Sequence, residues 1–284
     1  MIIAYFLLIG MIVQAQQLIP FLGSNDRYGL KTKDGKIILE PKYENIYPFF
    51  EVLALVNTGD IMNGNSQYGF IDSTGTEIIP LKYKMAWDFR DGLAKVQYGD
   101  KWGFIDKTDK AVIPFDYEEA DEFFEGVAAV QKDYQWGFID RSNNVVIPFR
   151  YDGAGGFSEG LSSVLVRRKY GFIDKSGTTV IEPQFEQTAA FSEGLCGVMN
   201  SEEKWGFINQ LGKMVVPHQY DLVSWTKEGM TAVSKNDLWG FIEKTGRQIT
   251  PVHFRLAEDF KNGKAKVELN GKEFYIDKTG KEVK

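Results

Sequence analysis

The stretch Lys101–Tyr117, KWGFIDKTDKAVIPFDY, decides the fold. It recurs, with substitutions, from Tyr28 almost to the C-terminus. Aromatic-Gly pairs put glycine at Gly29, Gly69, Gly103, Gly137, Gly171, Gly206 and Gly240, with Phe274 at the same place in a last, partial copy. The successive spacings are 40, 34, 34, 34, 35, 34 and 34 residues, a regularity that composition bias does not produce. A fixed period of this kind marks a tandem repeat, in which one small unit stacks on the next.

Around each glycine the pattern is that of a strand. Tyr28, Tyr68, Trp102, Trp136, Tyr170, Trp205 and Trp239 come before it, and Leu30, Phe70, Phe104, Phe138, Phe172, Phe207 and Phe241 come after. In an extended chain these two aromatics share one face, while glycine and the next residue, Ile105 or Ile139 for example, share the other. Both faces are therefore covered, and glycine implies close approach by a neighbouring backbone or ring. Six places past the anchor stand Gly35, Gly75, Asp109, Asn143, Gly177, Gly212, Gly246 and Gly280, the residues that best tolerate positive φ. Asp72, Asp106, Asp140, Asp174 and Asp277, three places earlier, suit an Asx-type turn.

A second strand follows as a run of branched residues, closed by Pro80, Pro114, Pro148, Pro217 or Pro251 because proline cannot donate to a ladder. An aromatic then stays fourteen places from the anchor, as at Tyr83, Tyr117, Tyr151 and Phe185. Apolar or small residues at intervals of three, as in Tyr117, Ala120 and Phe123, suggest one helical or 3₁₀ turn. Acidic-Gly pairs (Asp91-Gly92, Glu125-Gly126, Glu159-Gly160, Glu193-Gly194, Glu228-Gly229) mark a tight turn before a third strand such as Val127–Val130. The acidic row reads as turn chemistry with solvated carboxylates, against a cation-binding groove.

A single copy buries too few side chains to offset the entropy of ordering its backbone, so the array is the folding unit. The expected class is all-β: three-stranded repeats of about 34 residues stacked into an open superhelical array, with a closed propeller-like ring as the alternative. Seven copies and a C-terminal partial copy span residues 16–284 as a single array.

These residues resemble the WG-repeat family of bacterial proteins, named for the dipeptide seen at Trp102-Gly103, Trp136-Gly137, Trp205-Gly206 and Trp239-Gly240. The match extends to the aromatic-Gly-Phe-Ile-Asp-Lys-x-Gly core, the Ile-Pro-x-x-Tyr step and the Phe-x-Glu-Gly-Leu segment, over about Tyr28–Gly280. Departures are tyrosine for tryptophan in three copies, Glu273-Phe274 in the last, and Val52 in place of the later glycine in the first. The resemblance implies a β-rich scaffold, often attached to exported or surface proteins, and brings no catalytic residues.

The first 25 residues carry no charged side chain, and Ile2–Val13 is an apolar run too short to cross a membrane comfortably. Val13-Gln14-Ala15 suits a signal peptidase, so residues 1–15 read as a signal peptide, with Gln16 as the mature start and a secreted, periplasmic or cell-surface destination. A buried first strand or helix is the other reading. Cys196, the only cysteine, permits no internal disulfide and reads as a small core residue. The net charge of −6 is spread along the chain and implies no polyanion partner.

Chemistry needs one constellation rather than seven copies of it, so irregular positions are the functional candidates. His218 stands where other copies have Leu81, Phe115, Phe149 or Val252, without cysteine or a second histidine at metal-ligand spacing. Trp87 and Trp225 lie outside the aromatic-Gly ladder and, if exposed, could stack on sugar rings or anchor a protein; the bland reading is extra core packing. Arg167-Arg168-Lys169 reads as solvated charge on a strand connection, and residues 57–67, NTGDIMNGNSQ, as a surface loop. No nucleophile elbow, phosphate loop or zinc-protease motif occurs. The expectation is a non-enzymatic, monomeric, exported scaffold binding a protein or glycan ligand, with Trp87, Trp225 and His218 as binding candidates and no cofactor, metal, nucleic acid or membrane span. The alternative is a hydrolase of an extracellular polymer using paired carboxylates.

Overall fold

The computed structural model describes residues 18–60 and 63–283, so the expected signal segment lies outside the described residues. Every regular element among them is a strand. The chain divides into two compact units, residues up to Asp100 with Phe104–Ala111, and Lys101–Gly103 with the residues from Val112 on.

In the second unit each sheet is an antiparallel meander in chain order. One sheet runs Glu119–Phe124, Val127–Lys132, Gln135–Asp140 and Val145–Tyr151. The next runs Gly153–Ala154, Leu161–Val166, Lys169–Asp174 and Thr179–Phe185. Two-residue hairpins explain the meander: Glu159-Gly160 has φ of 54° and 81°, and Arg167-Arg168 has 48° and 68°. Two positive φ values in a row make the turn whose twist matches that of the flanking strands. In the first unit Asn45–Phe50, Leu53–Thr58, Gln67–Ile71 and Glu77–Tyr83 repeat the same four-strand order.

Among the described residues, six of the eight sheets thus carry four strands where three were expected, and two carry three. The segment read as a helical turn is the outer strand, and a register shift between Ala120 and Phe123 explains the misreading. Ala120 pairs with Val130 and Phe123 with Ala128, so one extra residue is absorbed by a β-bulge. Intervals of three across a bulge place side chains on one face just as a helix would.

The prolines also differ from expectation, for the second strand runs through them to the aromatic. Trp136 pairs with Tyr151 and Phe138 with Ile147, so Pro148, Phe149 and Arg150 arch over the single residue Gly137. Proline sits in that arch, where no ladder donor is required. A Cβ on Gly137 would lie 2.7 Å from the Ile147 carbonyl, and one on Gly171 2.5 Å from that of Ile181. The anchor glycine is fixed by backbone approach, as its pattern suggested.

Each core is shared between successive sheets. Ala129, Phe138, Ile147 and Tyr151 of one sheet pack with Phe157, Val164 and Ile173 of the next. Phe138 and Phe157 meet edge-on at 5.1 Å between centroids, and Phe172 and Phe191 repeat the contact at 5.0 Å. Stacking therefore supplies the burial that a lone copy lacks.

Candidate functional site

The repeated polar side chains are consumed by the fold. Asp106 Oδ1 accepts the amides of Thr108 and Lys110 at 2.8 and 3.1 Å, and Asp140 accepts those of Ser142 and Asn144 at 2.8 Å each. Asp109 and Asn143 hold φ of 68° and 64°, the left-handed geometry their position demands. They also accept hydrogen bonds from the preceding copy, Tyr83 Oη donating to Asp109 at 2.6 Å and Tyr117 Oη to Asn143 at 2.7 Å.

The acidic-Gly turns do more than sequence reasoning assigned them. Glu193 accepts the amides of Glu228 and Gly229 at 2.6 and 2.8 Å, and Lys244 Nζ stands 3.0 Å away. Glu228 accepts those of Asn262 and Gly263 at 2.6 and 2.9 Å, with Lys278 at 3.1 Å. Glu125 joins Gly160 and Lys175, and Glu51 joins Gly92 and Lys107, in the same manner. One carboxylate thus ties its own turn to the next copy's backbone and to a lysine of the copy after that. These are charge-assisted bonds, not free carboxylates. The Gly263 amide and the Lys278 ammonium hold the Glu228 carboxyl below its ordinary range. Burial pushes Glu193 up, but Lys244 and the two amides outweigh it and leave it lowered. Glu243, held by Arg247 and Thr245, falls to about 2. Among the described residues, the carboxylates with a displaced titration are all displaced downward.

The irregular positions behave otherwise. A groove of about 380 Å³ crosses successive copies, with Phe124 and Trp225 among its walls and Gly156, Phe157, Ala190 and Phe191 along it. Trp225 is 57% exposed and Phe124 37%. The groove exists because copies vary at one place: Pro48, Asp88, Glu122, Gly156, Ala190, Trp225 and Asp259 each directly precede the residue that is Phe in six copies and Thr226 in the seventh. Two small side chains in succession make the trough, and Trp225 ends it. A Cβ at Gly156 would collide with the Phe124 ring, so glycine there lets that ring lie across the next copy. Ser158 and Ser192 donate their hydroxyls to the carbonyls of Phe191 and Thr226 at 2.7 and 2.6 Å, fixing the trough's floor. Asp121 supplies the one carboxylate of the lining.

Trp87 occupies a neighbouring rather than an equivalent position. Its amide donates to Lys95, as those of Gly155, Ala189 and Ser224 donate to Ser163, Gly197 and Ala232. Its ring is half-buried, with Lys95 Nζ 4.1 Å from the centroid. His218 does not line the Trp225 groove; it stands in the arch over Gly206, its Nε2 buried without a hydrogen-bond partner. Burial lowers its pKa and keeps the imidazole neutral. Cys196 is buried and its thiol is pushed up to about 12, an inert core group. Arg167 and Arg168 form their hairpin turn, and Lys169 pairs with Glu186 at 2.5 Å. Sequence reasoning missed the trough because Gly156 and Ala190 signal only by being small.

Fold and sites together define an all-β tandem-repeat protein whose repeated positions are structural. The chain belongs to the family described as WG containing repeat, which matches it over residues 28–60, 68–102, 102–136, 136–170, 170–203, 205–239 and 239–272. Comparison with curated proteins finds no match. Among solved structures it is similar to a eukaryotic initiation factor, at 12% identity and a TM-score of 0.65, over 93% of this chain and 83% of that one. It is also similar to BamB from Moraxella catarrhalis, at 11% identity and a TM-score of 0.50, over 93% and 96%. BamB is propeller-like, and at these identities the likeness is one of fold alone.

Proposed function

We propose that this chain is an exported, non-enzymatic scaffold that binds a protein or glycan ligand through the groove ended by Phe124 and Trp225. The observation that carries this reading is a large aromatic left 57% exposed beside two positions stripped to glycine and alanine. An exposed indole beside a trough offers a flat apolar face for a sugar ring or an anchor for a partner side chain. The competing reading, a polymer hydrolase, needs two carboxyl groups about 5–9.5 Å apart, one of them titrating high. A single carboxylate in the groove, and downward-shifted carboxylates elsewhere, favour the binder.

The test compares the parent with a Phe124→Ala, Trp225→Ala double variant in pull-down and glycan-array measurements. The expected result is at least about a tenfold loss of affinity, or roughly 1.4 kcal/mol, with the melting temperature unchanged. Equal binding by parent and variant would remove these rings as the contact surface. Trp87→Ala, in the same assay, reports whether the half-buried indole contributes. Export rests on the apolar run Ile2–Val13 and the Val13-Gln14-Ala15 step, and N-terminal sequencing of the mature product should begin at Gln16.

A further inference from the structure

The segment Asp152–Phe157, DGAGGF, stands out within the outer strands. Where it has Gly153, other copies have Met85, Glu119, Gln187, Leu222 and Leu256, all paired at the corresponding place of their sheets. Where it has Gly155, they have Trp87, Ala189, Ser224 and Glu258, whose amides make the corresponding bond. Neither glycine has the positive φ that would require glycine for the backbone. A Cβ would stand 3.2 Å from that of Leu165 at Gly153 and 2.9 Å from Ser163 Oγ at Gly155, and the space beside the two glycines is where the longer side chains of other copies would extend.

That space is a pocket of about 510 Å³ spanning three successive sheets. Such a volume lies within the roughly 300–1,000 Å³ typical of small-ligand sites. Its walls include the half-buried rings of Trp136 and Tyr170. Ser163, Thr188 and Gln187 bring two hydroxyls and an amide, and the backbone of Gly153–Gly155 forms one side. Glu186 is the only carboxylate of the lining, and Lys169 Nζ neutralises it at 2.5 Å. None of these residues lines the Trp225 groove.

We propose that this pocket is a second binding site and that it takes a neutral sugar ring. Aromatic faces match the apolar C–H face of a pyranose. The hydroxyls, the amide and the free oxygen of Glu186 offer donors and acceptors to ring hydroxyls. With its one carboxylate already paired, the pocket offers no net charge to an ionic ligand. The inference stands apart from the role proposed for the Trp225 groove, because the two sites report through different tryptophans.

The full-length mature chain labelled with fluorotryptophan separates them. Cellotriose, maltotriose and triacetylchitotriose are titrated while the indole resonances are followed by fluorine NMR, that of Trp136 being assigned by Trp136→Tyr. At least one trisaccharide is expected to move the Trp136 signal saturably, with a dissociation constant on the order of 1 mM, and to leave that of Trp225 in place. Gly153→Leu, which installs the residue two other copies carry there, should weaken the response by about tenfold or more. Thr188→Leu fills the same space from the opposite side if Gly153→Leu does not fold. Trp225→Ala should leave the response intact. The proposal is overturned if no trisaccharide moves Trp136, if the filled variants respond as the parent does, or if only an anionic sugar such as trigalacturonate is bound.

Discussion

Gly171 and Gly156 lie in the same sheet region and are held for opposite reasons. Gly171 sits on an aromatic-Gly strand under an arch of backbone, where a Cβ would be 2.5 Å from the Ile181 carbonyl and 2.7 Å from the Pro183 nitrogen. Gly156 precedes the buried Phe157, and what a Cβ would meet there is the ring of Phe124, itself 37% exposed. The first glycine answers to the fold, whose backbone does not yield. The second answers to a side chain that can swing into solvent. The position facing the repeat's own backbone is glycine in all seven full copies, whereas positions on the outer strand differ between copies and shape the surface.

The sharpest contrast should come from these two glycines. Gly171→Ala is expected to cost about 2–3 kcal/mol in urea unfolding, since overpacking against backbone has no cheap relief. Gly156→Ala should cost less than about 1 kcal/mol and narrow the groove instead. Equal costs would show that the arch relaxes as easily as the Phe124 ring.

Next come the carboxylate ties between copies. Glu193→Ala removes the acceptor of two amides and the partner of Lys244, and about 1–2 kcal/mol is expected to be lost. Glu193 has φ of 51°, so Glu193→Gly should recover about 1 kcal/mol of that loss by relieving the left-handed backbone. If both variants unfold at the parent's midpoint, the ties contribute nothing.

A smaller gain is expected where one copy departs from the rest. Thr226 stands in place of the phenylalanine that pairs edge-on with Phe138, Phe172 or Phe241 in other copies, and its hydroxyl bonds that of Thr231 at 2.8 Å. Thr226→Phe with Thr231→Ala, the residues found elsewhere at these places, should stabilise by about 1 kcal/mol in thermal melts. A loss would mean that the neighbouring side chains have closed over the smaller residue.

The smallest effect is that of pH. The Glu228 carboxyl is lowered by the Gly263 amide and Lys278, so the folded state binds its proton less readily than the unfolded one. Its stabilisation is therefore complete above the unfolded value of about 4.3 and disappears as pH falls through the lower folded value. Urea midpoints measured from neutral pH into the acid range should fall, and Glu228→Gln should flatten part of that fall. An unchanged slope would place the acid sensitivity elsewhere.

What could be read from the sequence follows which positions leave a positive signal. The 34-residue period, the buried Phe138 and Ile139, the backbone approach at Gly137 and the turn bonds of Asp106 and Asp140 were all legible, because each demands a particular residue type in nearly every copy. The outer strand was not, because its bulge between Ala120 and Phe123 turns a period of two into a local period of three. Continuation through Pro148 was hidden for a related reason, the arch that makes proline harmless being set by pairing rather than by composition. Trp225 was singled out as an irregular aromatic, and the structure leaves it exposed. Its groove was missed because Gly156 and Ala190 shape it by what they lack. The ties made by Glu125, Glu193 and Glu228 join residues about one and one and a half periods apart, a distance at which side-chain contact leaves no local pattern.

If neighbouring sheets complete one another, a sheet cut free should not fold. A peptide of residues 119–151 keeps all four strands of its sheet but loses Phe157, Val164 and Ile173, against which Phe138 and Ile147 pack. Thermal melting followed by circular dichroism, with the peptide's mass checked by sedimentation, is expected to show no cooperative transition. A sharp transition in a monomeric peptide would contradict the stacking of copies as the source of stability.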